Sequence, residues 1–173
     1  EMNEVVVGKA GSMSGNTVAE SSLRALVSFL EHEAQPMILL DPDYNIIAAN
    51  AAYNRQFGSV GEPLLGRKCY RVSHHYDMPC DQAGEHCPMK KALEMRGPDR
   101  VLHIHHTPRG PEHVDVELRP IFNARRQIVA YVERLTTVRS AAASPSAEGL
   151  VGRSETFNHA LHALQRVAPS MLP

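Results

Sequence analysis

Between residues 18 and 33 the apolar side chains Ala19, Leu23, Leu26, Val27 and Leu30 recur every three or four positions, which predicts an amphipathic helix with a single apolar stripe. Pro36 ends that period. Residues 37–40, the turn Asp41-Pro42-Asp43 and residues 45–49 then predict strand, turn and strand. Asn50 has the side chain to cap a short helix running to Phe57, because its oxygen can accept from the first unpaired backbone donors. Gly58 and Gly61 end that helix. A short helical link is expected over residues 64–72, and Cys87-Pro88 opens a helix to about Arg96 with Gly97 as its stop. Residues 100–107, 112–122 and 127–137 alternate as strands of an antiparallel sheet do. In the second of these Val114, Val116 and Leu118 share a core face, while His113, Asp115, Glu117 and Arg119 share a wet one.

The flanks follow other rules. Residues 1–17, rich in Gly, Ser and Lys, are expected to be disordered, and residues 139–148, mostly Ala and Ser around Pro145, predict a flexible linker. Residues 149–173 start a new unit, with Ser154 as helix cap and Phe157, Leu161, Leu164 and Ala168 on one stripe. Hydrophobic residues make up 43% and charged residues 21% of the 173, which fits a folded domain. Lys and Arg number 18 against 19 Asp and Glu, so no basic field argues for direct nucleic-acid binding by this piece. No apolar run reaches the ~20 residues that a bilayer requires. A cytoplasmic protein is expected, and its odd count of three cysteines suits reduced thiols better than a disulfide framework.

Those three cysteines lie together. Cys69-x4-His74-x5-Cys80-x6-Cys87 puts four soft or borderline donors in one short stretch, the ligand count of a closed tetrahedral zinc site or a cysteine-rich iron site. Cys87 sits at a helix N-cap, where a thiolate is favoured by the helix dipole. Arg67, Lys68, Lys90 and Lys91 could offset the negative charge of three thiolates. His103 and His105 share one face of the strand at 100–107, so either could replace His74 or support it. His75 and His86 fit less well. The plain alternative is a set of buried apolar-like thiols with exposed imidazoles on a sheet face. No Ser-His-Asp or paired-carboxylate arrangement stands out, and catalysis is not expected.

Asp41-x-x-Tyr44-Asn45-Ile46-Ile47-x-x-Asn50-x-x-Tyr53, the link Leu65-Gly66-Arg67-Lys68-Cys69 and the three later strands resemble a PAS domain over residues 34–138. The resemblance implies an α+β fold: a five-stranded antiparallel sheet with helices on one face, here preceded by an amphipathic helix. Gly66-Arg67-Lys68-Cys69-Tyr70, His74, Pro79-Cys80 and Cys87-Pro88 resemble a cysteine-containing PAS subgroup, although six residues separate the last two cysteines where that subgroup has two or three. The tail, Gly149-Leu150-Val151-Gly152-Arg153-Ser154 followed by Arg166-Val167-Ala168-Pro169-Ser170, resembles the start of the AAA+ module of bacterial sigma-54-dependent activators. It carries no phosphate-binding loop motif.

Together these readings lead to a sensor region whose Cys/His site responds to metal, redox or ligand state and controls an attached ATPase. Zinc is the favoured metal, with an iron-sulfur cluster or iron as the alternative. Expected partners are a second copy, through the leading helix and the PAS domain, and, in the full-length protein, its own AAA+ domain and sigma-54 RNA polymerase. The competing expectation is a small-molecule receptor with a purely structural zinc loop.

Overall fold

A computed structural model describes residues 17–58, 61–139, 141–142, 150–152 and 154–167. Most of the predicted disordered stretch at 1–17, much of the predicted linker and the tail beyond Val167 lie outside the described residues. In chain order the elements are α1 (Thr17–Glu31), β1 (Met37–Leu40), β2 (Ile46–Ala49), α2 (Ala51–Phe57), α3 (Cys69–His74), α4 (Pro88–Met95), β3 (Asp99–Thr107), β4 (Gly110–Phe122), β5 (Ile128–Thr137), β6 (Ala141–Ala142), β7 (Leu150–Val151) and α5 (Glu155–Val167). The expected five-stranded antiparallel sheet is present, its strands in the order β2-β1-β5-β4-β3. The two short strands β6 and β7 pair in parallel.

All four residues of β1 are buried, so both faces of the sheet must be covered there. Ile38 and Leu40 join Tyr53, Phe57, Met89, Leu118 and Leu135 in the larger core, under the helices between β2 and β3. Met37 and Leu39 point the other way and meet Val27 and Leu30 of α1. Each such apolar side chain contributes roughly 1.5–3 kcal/mol on burial. The α1 stripe is expected to bury against a second copy; Val27 and Leu30 pack on the chain's own sheet, while Phe29 stays 57% exposed.

Asn50 ties three elements together. Its Oδ1 accepts from Tyr53 N at 2.9 Å, capping α2, and from Met37 N at 3.1 Å. Its Nδ2 donates to Leu30 O at 3.1 Å and Gln35 O at 2.8 Å, which fixes the exit of α1. In the β1–β2 turn, Asp41 Oδ1 accepts from the backbone of Asp43 and Asn45, each at 2.9 Å, and Tyr44 takes a positive φ of 68°. Helix α4 begins with Pro88 as expected but stops one residue early. Arg96 itself adopts the left-handed conformation, and Gly97 N bonds Ala92 O.

One expectation fails on the outer face of β4. His113 and Asp115 are buried, at 0% and 7% exposure, because the chain returns over them. His113 Nε2 lies 2.7 Å from Gly152 O, and its ring packs against Phe157 of α5. Leu161 of α5 closes over Leu102 and Val138. Asp115 is paired with Arg100. Alternation along the strand identified the face; it could not show that a distant segment covers it. Ser154 Oγ accepts from Phe157 N at 3.1 Å, which is the expected cap.

Candidate metal centre

Register places two histidines inside. Val101, His103 and His105 lie opposite Val116, Val114 and Glu112 of β4, so both imidazoles share the face on which Val114 and Val116 enter the larger core. Helix α3 crosses this edge and ends at His74. His74, His103 and His105 are 6%, 5% and 2% exposed. Their donor atoms lie within 4.8 Å of one another, and among the described residues no other group of three such donors is this close. The His74 ring meets the other two edge-on, at centroid distances of 4.7 and 4.8 Å.

Two of the rings have one nitrogen committed to the backbone. His74 Nδ1 donates to Ile104 O at 3.1 Å, and His103 Nε2 donates to His86 O at 2.6 Å. A carbonyl only accepts, so each neutral ring keeps a lone pair on its other nitrogen. Such outward N–H bonds are how metal-bound imidazoles are held in other proteins. His105 Nδ1 is buried with no hydrogen-bond partner among the described residues, a cost of about 1–3 kcal/mol that a bound cation would offset.

The rings are also neutral. Burial, then the neighbouring His103, brings His74 down to about 3. Burial lowers His103 as well, and burial followed by His74 and His103 takes His105 well below the usual imidazole range. A metal ion needs this deprotonated form. Beside the cluster, Tyr76 donates to Glu85 Oε1 at 2.6 Å, the other Glu85 oxygen lies 4.0 Å from His74 Nδ1, and the Tyr76 ring stacks on His74 at 5.4 Å.

Of the four residues expected to share one ion, His74 lies in the histidine group, while Cys69, Cys80 and Cys87 border the larger core. Cys69 and His74 are the first and last residues of α3, and five positions on a helix turn by about 140°, so the two side chains diverge. Cys80 and Cys87, both free thiols, meet in the larger core. The hydrogen bond from Cys80 holds the Cys87 thiol down at about 7, while that bond and burial push Cys80 up. Cys87 occupies the N-cap position of α4, where Cys80 is the larger influence on its thiol and the backbone donors of Lys90 and Met89 lower it further. Burial raises Cys69 strongly. His74 joins the two strand histidines, which were the suggested alternatives.

Sequence reasoning overlooked Glu133. It stands between Tyr131 and Leu135 on the core face of β5, opposite Ile38, and burial followed by Cys87 raises its carboxyl to about 8. The period-two pattern of β5 carried that signal. His86, a weaker candidate, lies 2.5 Å from Asp99 Oδ2 and is engaged outside the cluster.

The PAS fold family matches residues 30–143. This chain belongs to that family. PAS domains are signal-sensing modules, and the sheet with its crossing helices is their architecture. A search of curated proteins finds no match. Among solved structures, the LOV protein of Rhodobacter sphaeroides is 14% identical with a TM-score of 0.56, covering 86% of this chain and 77% of that one. A light-oxygen-voltage domain studied with a flavin analogue is 18% identical at 0.54, covering 83% and 96%. The PAS domain of a protein from Colwellia psychrerythraea is 14% identical at 0.54, covering 68% and 97%. These likenesses show the fold. No helix among the described residues is long and apolar enough to cross a membrane.

Proposed function

We propose that this chain is the sensory region of a sigma-54-dependent transcriptional activator, and that it receives its signal through a metal centre at His74, His103 and His105. The observation that carries the metal reading is the convergence of three neutral, buried imidazoles, two of them oriented by backbone carbonyls. Three nitrogen donors suit zinc, iron(II) or nickel, and they leave at least one coordination position for water or a signal molecule. Zinc is the metal of this proposal, three histidines with one open position being a known zinc arrangement. An iron-sulfur cluster asks for cysteine thiolates at the irons, and the three thiols here do not gather into one group of donors. Cys80 and Cys87 act on this reading as packing thiols beside the centre.

The sigma-54 assignment rests on the tail sequence around Gly149–Ser154 and Arg166–Ser170. Signal would pass from the PAS core through the segment around Ser140 to the ATPase as a shift between two packings. A homodimer through α1 and the PAS domain is part of the proposal, and exposed Phe29 is its most accessible contact. Flavin is the group named for one of the similar structures; in this chain Tyr53, Phe57 and Met89 belong to the buried core and His74, His103 and His105 are buried beside it, which supports a metal at the imidazoles instead.

Purification without oxygen, elemental analysis and a visible spectrum test the metal reading. About one equivalent of zinc in a colourless protein, lost in His105→Gln and retained in Cys80→Ser, is expected. Metal-free protein that takes up none of zinc, iron(II) or nickel would remove the basis for this function.

A further inference from the structure

A second site lies at the end of the sheet beyond the histidine cluster. A cavity of about 140 Å³ opens between α3 and the β3–β4 hairpin, with room for about five waters at ~30 Å³ each. Its polar wall is mostly basic: Arg67, Arg71, His75 and His106, against a single carboxylate, Glu62. Its floor is apolar, made by Phe57, Leu64 and Val72.

The basic groups are brought there by separate local causes. Arg71 lies in the last turn of α3 and His75 is the residue that caps its end, and both line the cavity. Arg67 is anchored by its own carbonyl, which accepts from Ile46 N at 2.9 Å and locks the approach to α3 onto β2. His75 has a left-handed backbone, φ 57°, a conformation that costs a non-glycine residue about 1 kcal/mol. That conformation turns its ring to stack on His106 at 4.2 Å and 13°. Existing partners of the two guanidiniums are easily exchanged. Arg67 meets Glu62 at 2.7 Å with side chains 39% and 61% exposed, and Arg71 meets Asp77 at 3.4 Å with 57% and 90% exposed. Exposed pairs of this kind are worth about 0–1 kcal/mol.

We propose that this cavity binds a small organic carboxylate, its anionic group held by Arg67 and Arg71 beside the stacked imidazoles and its carbon body lying on Phe57, Leu64 and Val72. The excess of basic groups selects an anion. The apolar floor selects a short carbon chain or one ring over a bare inorganic ion, and the cavity volume of about 140 Å³ matches a body of that size. Phe57 also meets His105 edge-on at 6.2 Å, and His75 directly follows His74. An occupant would therefore press on the same core as the histidine cluster, although its binding does not depend on a metal there.

Isothermal titration of the full chain, stripped of metal, with acetate, propionate, succinate, benzoate and inorganic phosphate in turn tests this. At least one carboxylate should bind with one-to-one saturation. The double variant Arg67→Gln, Arg71→Gln should weaken it at least ~10-fold with unchanged circular dichroism, while Arg125→Gln in the β4–β5 turn leaves it intact. Absence of saturable binding by every carboxylate, equal binding by the double variant, or tighter binding of phosphate than of all the carboxylates would each overturn the assignment.

Discussion

The thiol pair and the histidine cluster share one face of the sheet and are built in opposite ways. Cys80 and Cys87 come from a single loop that turns back at Gly84, with Glu85 N bonded to Cys80 O at 2.8 Å. His74 comes from α3, whereas His103 and His105 arrive on β3 some thirty residues later, and Ile104 O, between the two strand histidines, holds His74 in place. The loop brings together two groups that satisfy each other: one thiol donates, the other accepts. The cluster brings together three neutral imidazoles whose donor atoms lie within 4.8 Å of one another, and among the described residues His105 Nδ1 has no hydrogen-bond partner. Proximity in sequence made the cysteines conspicuous, but unsatisfied donors in a preformed frame are what a cation requires.

The sharpest way to break this contrast is to remove one member from each group. His105→Gln should lower zinc affinity by ~10³-fold or more, about 4 kcal/mol, whereas Cys80→Ser should change it by no more than about threefold. Competition with a chromogenic chelator reads both. The reverse result would move the centre to the cysteine loop.

The next largest effect is on stability in metal-free protein. The histidines are depressed below 6.5, so the stability they contribute is present above that pH and is lost as pH falls toward 3. Glu133 is raised from 4.5 to about 8, so its contribution is present below 4.5 and is lost as pH rises through 8. Three imidazoles outweigh one carboxyl below 6.5. Denaturant midpoints should therefore peak near pH 6.5 and decline on both sides. Glu133→Gln should remove the decline between pH 6.5 and 8, about 2 kcal/mol for ~1.5 pH units, and steepen the acid decline between pH 4.5 and 6.5, where the carboxyl opposes the imidazoles; an unaltered arm between pH 6.5 and 8 would show that Glu133 does not titrate in the core.

Smaller effects sharpen the picture of each group. Alkylation should reach Cys87 before Cys80, with a half-maximal rate near pH 7, and Cys80→Ser should shift that midpoint upward by less than a full pH unit. Peptide mapping after iodoacetamide reads the order, and equal labelling of both thiols would contradict their hydrogen bond. Tyr76→Phe releases Glu85 beside His74. Because that carboxylate is 4.0 Å from the ring, zinc affinity should fall only about threefold, less than the 10–100-fold seen where such a partner bonds the ligand directly.

Much of the fold was legible in the chain because the signals are local. Asn50 is a cap by its own chemistry, Pro88 opens a helix by its missing N–H, and alternation from Val114 to Leu118 marks a face. The candidate site was half legible. His103 and His105 could be put on one face by period two, yet nothing near them in the sequence says that His74 will fold across that edge. His113 and Asp115 misled for the same reason: residues that alternate with a core face look exposed until distant groups meet them, here Gly152 and Phe157 at His113 and Arg100 at Asp115.

The sequence by itself determined the order of elements, the caps and turns, and the two faces of each strand, since these depend on backbone periodicities and on side chains within a few residues. Only the tertiary structure decided which donors meet. A helix rotates Cys69 and His74 apart by about 140°, while strand register and the crossing of α3 bring His74 to His103 and His105, and convergence of that kind depends on contacts between segments far apart in the chain.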